Sequence, residues 1–565
     1  MTNPMISKRT DTSLTVNEEM KRLFQLVYRE KNKQEEKEDD EAPRLRVSEM
    51  VSKMAFYYEK IRNSVDYKEE YLLRKNAIQR ILRRQIIIEG SIALTSKEVS
   101  SHDVARHLLV ELIRAGYLSN NKIRESKINE VGAIIEKYLK LRKRLVELVT
   151  KDSSSITSKE VSREWGDLIK WLISVAASEI EEDLCQNEIE RAVIKQMHGL
   201  LDRNIDIPSD SPYRQDKEPQ INVGIYRNFL KYDRDMLSYI MFRELIPQWE
   251  QVSDQDIQKI AENITDLRRK INYQIDHPMT GQFNRIIGRY TIFFSILIEV
   301  IKEDPRGVYE SFQKDPKAFP RLIKKVYNDR YANYKRKLWR AAVRSIIYIF
   351  ITKSVFAVLL EVPAAKWLGE DVNNVSLAIN VTFPALLLFL MVLFTKFPSQ
   401  DNSLRVVEGV EEIVFNERER KEPFELRQPS QRSRTMHAIF GSIYTITFFL
   451  TFGSIVWILN QIQFSWISII IFLFFLAFAS FFSIRIRKNI KDLVIIPPKE
   501  NIFSFIADFF YVPIVATGKW LSVKFARINV FVFLLDFIIE APFKIFVEIA
   551  EEWTKYVKER KDELV

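Results

Sequence analysis

The chain has 565 residues, a formal net charge of +10 and a single cysteine, Cys185. One cysteine excludes an intrachain disulfide and a metal site built from several thiolates, and it is typical of a protein in a reducing compartment. Only 14 glycines are present and alternation of polar and apolar residues is scarce, so an all-α fold is predicted.

The composition changes along the chain and predicts a series of segments. In order, these are a charged, partly flexible segment at 1–44, a helical cytosolic subdomain at 45–205, a linker at 206–220, a second helical cytosolic subdomain at 221–337, a four-helix transmembrane region at 338–485 with a cytosolic loop at 395–437, and a C-terminal amphipathic helical region at 486–565. Three prolines mark the linker. The flexible part of the first segment is predicted from Arg29–Glu41, which mixes both signs of charge with almost nothing to bury.

Several local patterns in the front half carry a structural prediction. Gly116 follows an apolar helical stripe and is predicted to end that helix in a left-handed conformation. The stretch Tyr290–Val300 is strongly apolar but too short to cross a bilayer, so a buried core helix is predicted. The acidic run 179–183 lacks the histidine pairing of a di-iron site, and a solvated helix face is predicted for it.

Two basic clusters raise the question of nucleic-acid binding. Their members are Arg74, Lys75, Arg80, Arg83 and Arg84, and Lys140, Arg142, Lys143 and Arg144. Both lie in helical patterns and lack the glycine and aromatic spacing of common RNA-binding modules. Much of the remaining positive charge flanks apolar segments, where anionic lipid headgroups account for it. The predicted partners are therefore the lipid bilayer and other proteins, including further copies of the chain, rather than nucleic acid.

Four long apolar runs occupy the second half of the chain. They are Leu338–Leu360, Ser376–Phe394, Ala438–Leu459 and Phe464–Phe482. Each approaches the roughly 20 residues that a helix needs to cross a hydrocarbon core. The sequence therefore predicts a multi-pass membrane protein with two helical hairpins.

Basic residues predict the orientation of these runs. Lys and Arg are abundant before the first run, between the second and third, and after the fourth. The loop 361–375 has only Lys366, and the turn 460–464 has none. Because Lys and Arg are retained on the cytoplasmic side, both termini are predicted to be cytoplasmic. The expected location is a prokaryotic cytoplasmic membrane.

Lys353 is the strongest candidate for a functional residue in the apolar runs, because it is charged. It lies near the middle of the first run, where a charged group costs about 2.5–3.5 kcal/mol on insertion scales. Its predicted roles are contact with a permeating anion, an ion pair with Asp508 or Asp536, or a place in a water-filled cavity. The structural alternative is a lysine stem that snorkels to the interface.

The third run carries hydroxyl groups at helical spacing. Thr447, Thr451 and Ser454 fall on one predicted face beside Gly453. Such a face permits close helix packing and hydrogen bonds between helices. Together with Lys353, these three residues are the candidate functional residues within the membrane, where the face alternatively lines a polar pathway.

A candidate coupling helix lies between the second and third runs. Its predicted apolar side contains Leu404, Val407, Val410 and Val414. This helix is predicted to lie against the membrane surface or the cytosolic helices, as a brace or as an element that transmits movement. The charge run 417–421, followed by two prolines, predicts a mobile connection.

The C-terminal region is rich in phenylalanine but repeatedly interrupted by charge. Its predicted last helix has a polar stripe with a four-residue repeat, formed by Asp536, Glu540, Lys544, Glu548 and Glu552. The acidic members argue against simple attraction to anionic lipid, so packing against protein or self-association is predicted. Residues 503–518 are predicted to lie at the interface, because crossing would export Lys519 and Lys524.

Signatures of catalysis are scarce in this sequence. It has no phosphate-binding loop, dinucleotide fingerprint, zinc-protease motif or nucleophile elbow. No cofactor, metal site or catalytic residue is therefore predicted, and an enzyme is not favoured. The first predicted function is a membrane-anchored scaffold or protein-interaction component. The alternatives are a channel or transporter that uses Lys353 and the hydroxyl-lined third run, and a membrane enzyme acting on lipid or envelope material.

Overall fold

Helices dominate the fold of this chain. The computed structural model describes residues 14–36, 43–47, 53, 59, 70–89, 100–152, 158–185, 187–303, 307–308, 318–369, 373–395, 400–429, 433–491, 495, 502–527, 549, 552–553, 556–557 and 560. Within these ranges the named strands are one pair of two residues each. The predicted all-α fold is confirmed.

The described helices before the apolar runs have 9 to 27 residues. They are α1 (Glu18–Glu36), α2 (Glu70–Arg83), α3 (Ser101–Arg114), α4 (Lys127–Asp152), α5 (Ser158–Leu184), α6 (Glu188–Asn204), α7 (Lys217–Asn228), α8 (Arg234–Leu245), α9 (Asp254–Glu262), α10 (Ile264–Ile275) and α11 (Thr280–Glu303). A π-helical turn, Arg84–Glu89, continues α2. Short 3₁₀ turns occur at Arg214–Asp216 and Pro247–Gln251.

The described helices of the second half vary more in length, from 6 to 39 residues. They are α12 (Ala318–Phe356), α13 (Val362–Trp367), α14 (Asn374–Leu393), α15 (Gln400–Val414), α16 (Arg434–Gln461), α17 (Trp466–Lys491) and α18 (Ile502–Arg527). A π-helical turn, Ala357–Glu361, joins α12 to α13. A 3₁₀ turn, Asn416–Arg418, follows α15.

Local signals in the sequence set both ends of α3. Ser100 precedes the helix, and its hydroxyl accepts a hydrogen bond from the amide of Asp103 at 3.3 Å. After the helix, Gly116 has a φ of 77°, and the amide of Tyr117 donates to the carbonyl of Leu112 at 2.9 Å. This contact is that of a Schellman turn. The prediction that Gly116 ends the helix is confirmed.

The chain forms two compact units. Unit 1 comprises Met1–Phe24, Gly288–Lys421 and Pro429–Asn529, and unit 2 comprises Gln25–Ile287, Glu422–Gln428 and Val530–Val565. In unit 2, α5 packs against α2, α4 and α8. Its buried face includes Val175, Ala177 and Ile180. Residues on both sides of the predicted linker 206–220 share this apolar core.

A buried carboxylate organises part of the unit 2 core. Glu179 accepts hydrogen bonds from the Tyr138 hydroxyl at 2.7 Å, the Trp249 indole at 2.8 Å and the Lys137 ammonium at 2.8 Å. Burial, reinforced by the Glu179 charge, raises the pKa of Tyr138 well above its ordinary value. The prediction of a solvated face is wrong at Glu179, because the surrounding donors compensate the cost of burying this charge.

A short strand pair fixes a segment predicted to be mobile. β1 (Ile205–Asp206) pairs in parallel with β2 (Phe424–Glu425). The Gln282 side-chain amide donates to the Arg427 carbonyl at 2.6 Å and accepts from the Arg427 amide at 3.1 Å. These hydrogen bonds attach residues 424–427 to unit 2, and the mobility of the connection as a whole stays a prediction.

Four helices in unit 1 are long and apolar enough to cross a membrane. They are Ala318–Trp367, Asn374–Leu393, Arg434–Gln461 and Trp466–Arg487. We refer to these four as the span helices, on their length and composition alone. Apart from Phe394, Phe464 and Ser465 at the ends of two runs, they contain the four apolar runs, so the predicted helical form and length of those runs are confirmed. Glu361 is helical, and the predicted loop 361–375 therefore begins several residues later than the sequence indicates.

Two other expectations are decided by the structure. Tyr290, Phe294 and Leu297 are buried in α11, which confirms the predicted core helix. α1 continues through Glu36, so the start of the charged run predicted to be flexible is helical.

α18 lies antiparallel to α17. The Tyr511 hydroxyl lies 3.1 Å from the Ser483 hydroxyl, and further along α18 the backbone of Gly518 approaches the Ala477 carbonyl. The two helices therefore pack closely over several turns. The interfacial placement of residues 486–565 stays a prediction.

Candidate functional site

α12 places Lys353 inside the helices of unit 1. Its side chain is fully buried, whereas Thr352 and Val355 beside it are exposed. The Lys353 Nζ lies 3.8 Å from Glu361 Oε2 and 4.4 Å from the centroid of the Phe475 ring. The first distance is that of an ion pair but too long for a hydrogen bond, and the second is within the range of a cation–π contact. The lysine is therefore held by protein groups rather than snorkelling to an interface.

The π turn at Ala357–Glu361 brings Glu361 towards Lys353. Residues eight positions apart in a straight α-helix point about 80° away from each other. A π turn accommodates one extra residue, which reduces that offset to about 20°. Pro363, just after the turn, has no amide hydrogen and interrupts the regular hydrogen-bond ladder. One helix therefore presents both charges on nearly the same face.

Two other span helices hold the Glu361 carboxylate. Asn380, on α14, donates from Nδ2 to Glu361 Oε1. Ser468, on α17, donates from its hydroxyl to the same oxygen at 2.7 Å. We refer to Lys353, Glu361, Asn380 and Ser468 as the Lys353 cluster, which joins three span helices through polar contacts.

Three buried atoms of the Lys353 cluster have no hydrogen-bond partner. They are Lys353 Nζ, Glu361 Oε2 and Asn380 Oδ1. An unpaired buried polar atom costs about 1–3 kcal/mol, more when it is charged, and native proteins contain few of them. The cluster therefore contains one hydrogen-bond donor and two acceptors that are buried but unpaired.

The cluster lies near the predicted non-cytoplasmic ends of its helices. Asn380 is in the second turn of α14, and Ser468 is in the first turn of α17. Pro384 follows Asn380 by one turn and cannot donate the usual amide hydrogen to the Asn380 carbonyl. Both α12 and α14 therefore have an irregular hydrogen-bond ladder beside the cluster.

The hydroxyl residues of α16 do not join the Lys353 cluster through any described contact. Thr447 and Thr451 are buried, and each hydroxyl donates to the carbonyl four residues earlier at 2.8 Å. Ser454 is exposed, and nothing lies within 4 Å of a Cβ built on Gly453. The structure therefore buries two of the three candidates on one face and leaves Ser454 outside it.

α15, the candidate coupling helix, is buried on a broader side than the sequence indicates. Val407, Val410 and Val414 are buried, as are Val406 and Ile413. Leu404 is 52% exposed. The five buried residues centre on the side of α15 marked by Val410, and Leu404 lies about 120° from that direction.

Contacts within unit 1 explain why α15 is covered so widely. The Phe293 ring lies directly against Gly409, where a Cβ would overlap it. The Asn402 side chain donates to the Tyr327 hydroxyl at 2.7 Å and accepts from the Ile495 amide at 2.8 Å. α15 therefore braces the start of α12, α11 and the segment after the fourth span helix.

The N-terminal segment also binds α15. The Asn17 side chain donates to the Ile413 carbonyl at 2.7 Å, and the Asn17 backbone amide donates to the Val414 carbonyl at 3.0 Å. Val16 forms an antiparallel bridge with Phe415. The end of α15 is therefore fixed from a second side, and its coupling role stays a prediction.

Most of the C-terminal polar stripe lies outside the described residues. This applies to Asp536, Glu540, Lys544 and Glu548, and the structure describes Glu552 only within a two-residue helical fragment. Asp508, one predicted partner of Lys353, is exposed. Among the described residues, no group of three or more His, Cys, Asp or Glu side chains is arranged to hold a metal ion.

Acidic side chains neutralise much of the first basic cluster. Arg74 pairs with Glu181 at 2.7 Å, and the buried Lys75 ammonium lies 2.8 Å from Asp233 and 2.9 Å from Asp235. Burial raises the pKa of Glu181, against the opposing effect of Arg74. This pairing supports the expectation against nucleic-acid binding, which stays a prediction.

The sequence contains a signal for the buried position of Glu361, although the pattern of flanking charges assigns this residue to a loop. A glutamate directly after an apolar run reads as a loop charge, although the proline two residues later marks a helix irregularity. Asn380 and Ser468 are polar residues inside or beside other apolar runs, and polar groups at such depth need partners.

Comparisons of the chain with protein-family models, with curated proteins and with solved structures find no match. The chemistry of the Lys353 cluster therefore follows from its own residues.

Proposed function

We propose that this chain is an integral membrane protein that holds a cytosolic helical platform at the bilayer and binds protein partners there, as a scaffold or interaction component. The observation that carries the proposal is the continuity of α12. This helix has 39 residues, which corresponds to about 58 Å, or nearly twice the thickness of a hydrocarbon core. A helix of that length extends well beyond the lipid even when it is tilted.

The first turns of α12 support a role outside the lipid. Phe319, Ile323 and Tyr327 are buried there, and the Phe319 ring packs edge-on against Phe415 with 5.9 Å between centroids. The apolar part of α12 follows without a break in the helix. A continuous helix of this kind favours a fixed position, relative to the membrane, for the part of unit 1 that packs against its first turns.

The composition of unit 2 supports the interaction role. It has an extensive apolar core of its own, and its buried charges are paired, as with Lys75 and the two aspartates beside it. A folded helical unit of this size is more than an anchor needs. Its exposed surface is the natural place for protein partners.

Labelling of single cysteines tests the membrane arrangement. In a Cys185→Ser background, Gln461→Cys is expected to react with a membrane-impermeant maleimide added outside spheroplasts, whereas Glu419→Cys is expected to react only after permeabilisation. Both positions are exposed in unit 1, so accessibility of the side chain itself is matched. Reaction of Glu419→Cys from outside, or release of the chain by alkaline carbonate, would refute the arrangement.

Native mass measurement of the full-length chain in detergent tests the interaction role. We expect an assembly of fixed stoichiometry with further copies of the chain or with other proteins. It should be retained through purification and dissociate on dilution. A monomer at every concentration, with no stoichiometric protein bound, would contradict a scaffold.

The Lys353 cluster favours transport as a second candidate function. A buried ion pair with unused donors and acceptors lies among three span helices, and ionisable residues in such places commonly mark ion or proton pathways. Ion flux through the chain, measured in proteoliposomes, is expected to be lost in Lys353→Met, which removes the positive charge. It is expected to be retained at least in part in Lys353→Arg, which keeps that charge. Equal flux in both variants would remove Lys353 from any pathway.

A further inference from the structure

We propose that α18 crosses the bilayer as a further helix beside the four span helices, with its exposed apolar face against lipid acyl chains. The end of α18 at Arg527 then lies on the side of the membrane opposite to its start. The proposal replaces the interfacial placement predicted for residues 503–518, and it rests on the membrane arrangement of the proposed function. α18 has 26 residues, which corresponds to about 39 Å, longer than a hydrocarbon core of about 30 Å.

Contacts with α17 define the direction of α18. The Tyr511 hydroxyl donates to the Ser480 carbonyl at 3.0 Å and lies 3.1 Å from the Ser483 hydroxyl. Further along the chain, the backbone of Gly518 lies against the carbonyl of Ala477. From Tyr511 to Gly518 an α-helix rises by about 10 Å. Between the two contacts, α18 therefore runs along α17 by about that distance.

The same side of α18 also contacts other parts of the span helices. The Tyr511 hydroxyl lies 3.5 Å from the Met391 sulfur on α14. Ile514 packs against the apolar cluster to which α17 contributes Phe472 and Leu476. An interfacial helix penetrates only about 5–10 Å into the boundary between headgroups and acyl chains. α18 therefore lies alongside the span helices rather than across their ends.

The contact at Gly518 fixes the depth of α18. Ala477 is at the centre of the fourth span helix. Close to it, the Phe475 ring contacts Lys353, which lies near the middle of the first apolar run. From Gly518 to Arg527 an α-helix rises by about 14 Å, close to half the thickness of a hydrocarbon core. The end of α18 therefore reaches the far headgroup region.

The side of α18 that faces away from Gly518 is apolar and exposed. Its members Phe509, Val512, Trp520 and Val523 are between 41% and 58% exposed. They lie within about 80° of one another around the helix and roughly opposite Gly518. Ile470 on the neighbouring α17 is exposed as well. Because this face continues the exposed apolar faces of the span helices, acyl chains are the occupant that fits it.

The basic residues of α18 favour the interface in the sequence, and the packing outweighs them. Lys519, Lys524 and Arg527 pass to the far side when α18 crosses, against the retention of Lys and Arg in the cytoplasm. Orientation follows the total bias around all spans, and the basic residues before α12, after α14 and after α17 far outnumber these three. Lys519 and Lys524 are exposed on opposite flanks of the apolar face, so their long side chains are free to extend towards headgroups.

Single-cysteine labelling in the Cys185→Ser background tests the crossing. Lys524→Cys is expected to react with the impermeant maleimide from outside spheroplasts, on the same side as Gln461→Cys. Arg485→Cys, at the other end of the α17–α18 contact, is the matched control and should react only after permeabilisation, as Glu419→Cys does. Both new positions are exposed. Reaction of Lys524→Cys on the side of Arg485→Cys, or on neither side, would overturn the proposal.

The same set of variants separates this proposal from the proposed function. If only Lys524→Cys departs from expectation, α18 does not cross and the arrangement of the four span helices stands. If Gln461→Cys and Glu419→Cys exchange sides, the assigned orientation fails, but Lys524→Cys on the side of Gln461→Cys still supports the crossing. Reaction of Gln461→Cys and Glu419→Cys from the same side would refute the arrangement and the crossing together.

Depth measurements in liposomes test the lipid-facing side. Nitroxide labels are attached to Phe509→Cys and Trp520→Cys, which lie on one side of α18, and relaxation by oxygen is compared with relaxation by a water-soluble nickel chelate. A crossing helix places the label of Trp520→Cys about 10 Å deeper than that of Phe509→Cys, because eleven residues separate them along the axis. Equal depths of the two labels would overturn the proposal.

Discussion

The strongest energetic prediction concerns the separation of the two charges in the Lys353 cluster. Lys353→Met leaves the Glu361 carboxylate buried, with Asn380 and Ser468 as its hydrogen-bond donors and no cation at 3.8 Å. Breaking a buried pair in this way costs about 3–5 kcal/mol. The expected loss of unfolding free energy is therefore about 3–5 kcal/mol at neutral pH.

The two single variants should have opposite pH dependences. In Lys353→Met the stranded group is an acid, and a buried acid avoids the cost of its charge by taking up a proton, so the loss shrinks as the pH falls. In Glu361→Gln the stranded group is the Lys353 ammonium, which escapes by deprotonation, so the loss shrinks as the pH rises. The double variant buries no charge and is expected to unfold within about 1 kcal/mol of the unmodified chain.

Unfolding in mixed micelles measures these differences. The free energy of unfolding is followed by tryptophan fluorescence as the fraction of denaturing detergent rises, at acidic, neutral and basic pH, with Thr352→Val as the control. A non-additive double variant and opposite pH trends are expected. Single variants within about 0.5 kcal/mol of the control, or a double variant that loses the sum of both single effects, would refute a paired burial of the two charges.

Three further predictions concern packing and titration elsewhere. Gly518→Ala should lower the free energy of unfolding in detergent by about 1–3 kcal/mol, because the added Cβ would lie 2.7 Å from the Ala477 carbonyl carbon. In Gly453→Ala the added Cβ would have nothing within 4 Å, so the free energy of unfolding should stay the same or rise by up to about 1 kcal/mol. Equal effects of the two substitutions would contradict the close approach at Gly518. Burial lowers the pKa of His277, so its contribution to stability is complete above the ordinary histidine pKa of about 6.5 and is lost as the pH falls from there through the lowered pKa of the folded state. The melting temperature should therefore fall less on acidification in His277→Gln, and an identical fall would contradict this. Burial raises the pKa of the Cys185 thiol to about 12, so iodoacetamide should alkylate it about a thousandfold more slowly at pH 8 than the unfolded chain, and similar rates would argue against a protonated thiol.

Elements governed by local sequence were predictable from the chain. Gly116 ends α3 because only a residue tolerant of positive φ fits that turn, and Tyr290–Val300 is a core helix because its length excludes a span. The apolar runs predicted four long helices for the same reason of length and composition. Such features depend on a few neighbouring residues, which the sequence displays directly.

The broad burial of α15 was not predictable in the same way. A single apolar stripe assigns Leu404 to the buried side and leaves Gly409 unexplained. Phe293 and Asn17, distant in sequence, cover other parts of the helix. Burial on several sides depends on which segments meet in space, and periodicity within one helix carries no information about that.

The Lys353 cluster shows the same dependence on geometry in a stricter form. In an unbroken α-helix, Glu361 would point about 80° away from Lys353, and each charge would bear its own cost of burial. The π turn removes most of that offset, and the pair in turn compensates a helix irregularity that would otherwise be a loss. The helix irregularity and the charge pair therefore stabilise each other. Any event that changes the charge on either residue alters the balance between the π turn and a regular helix.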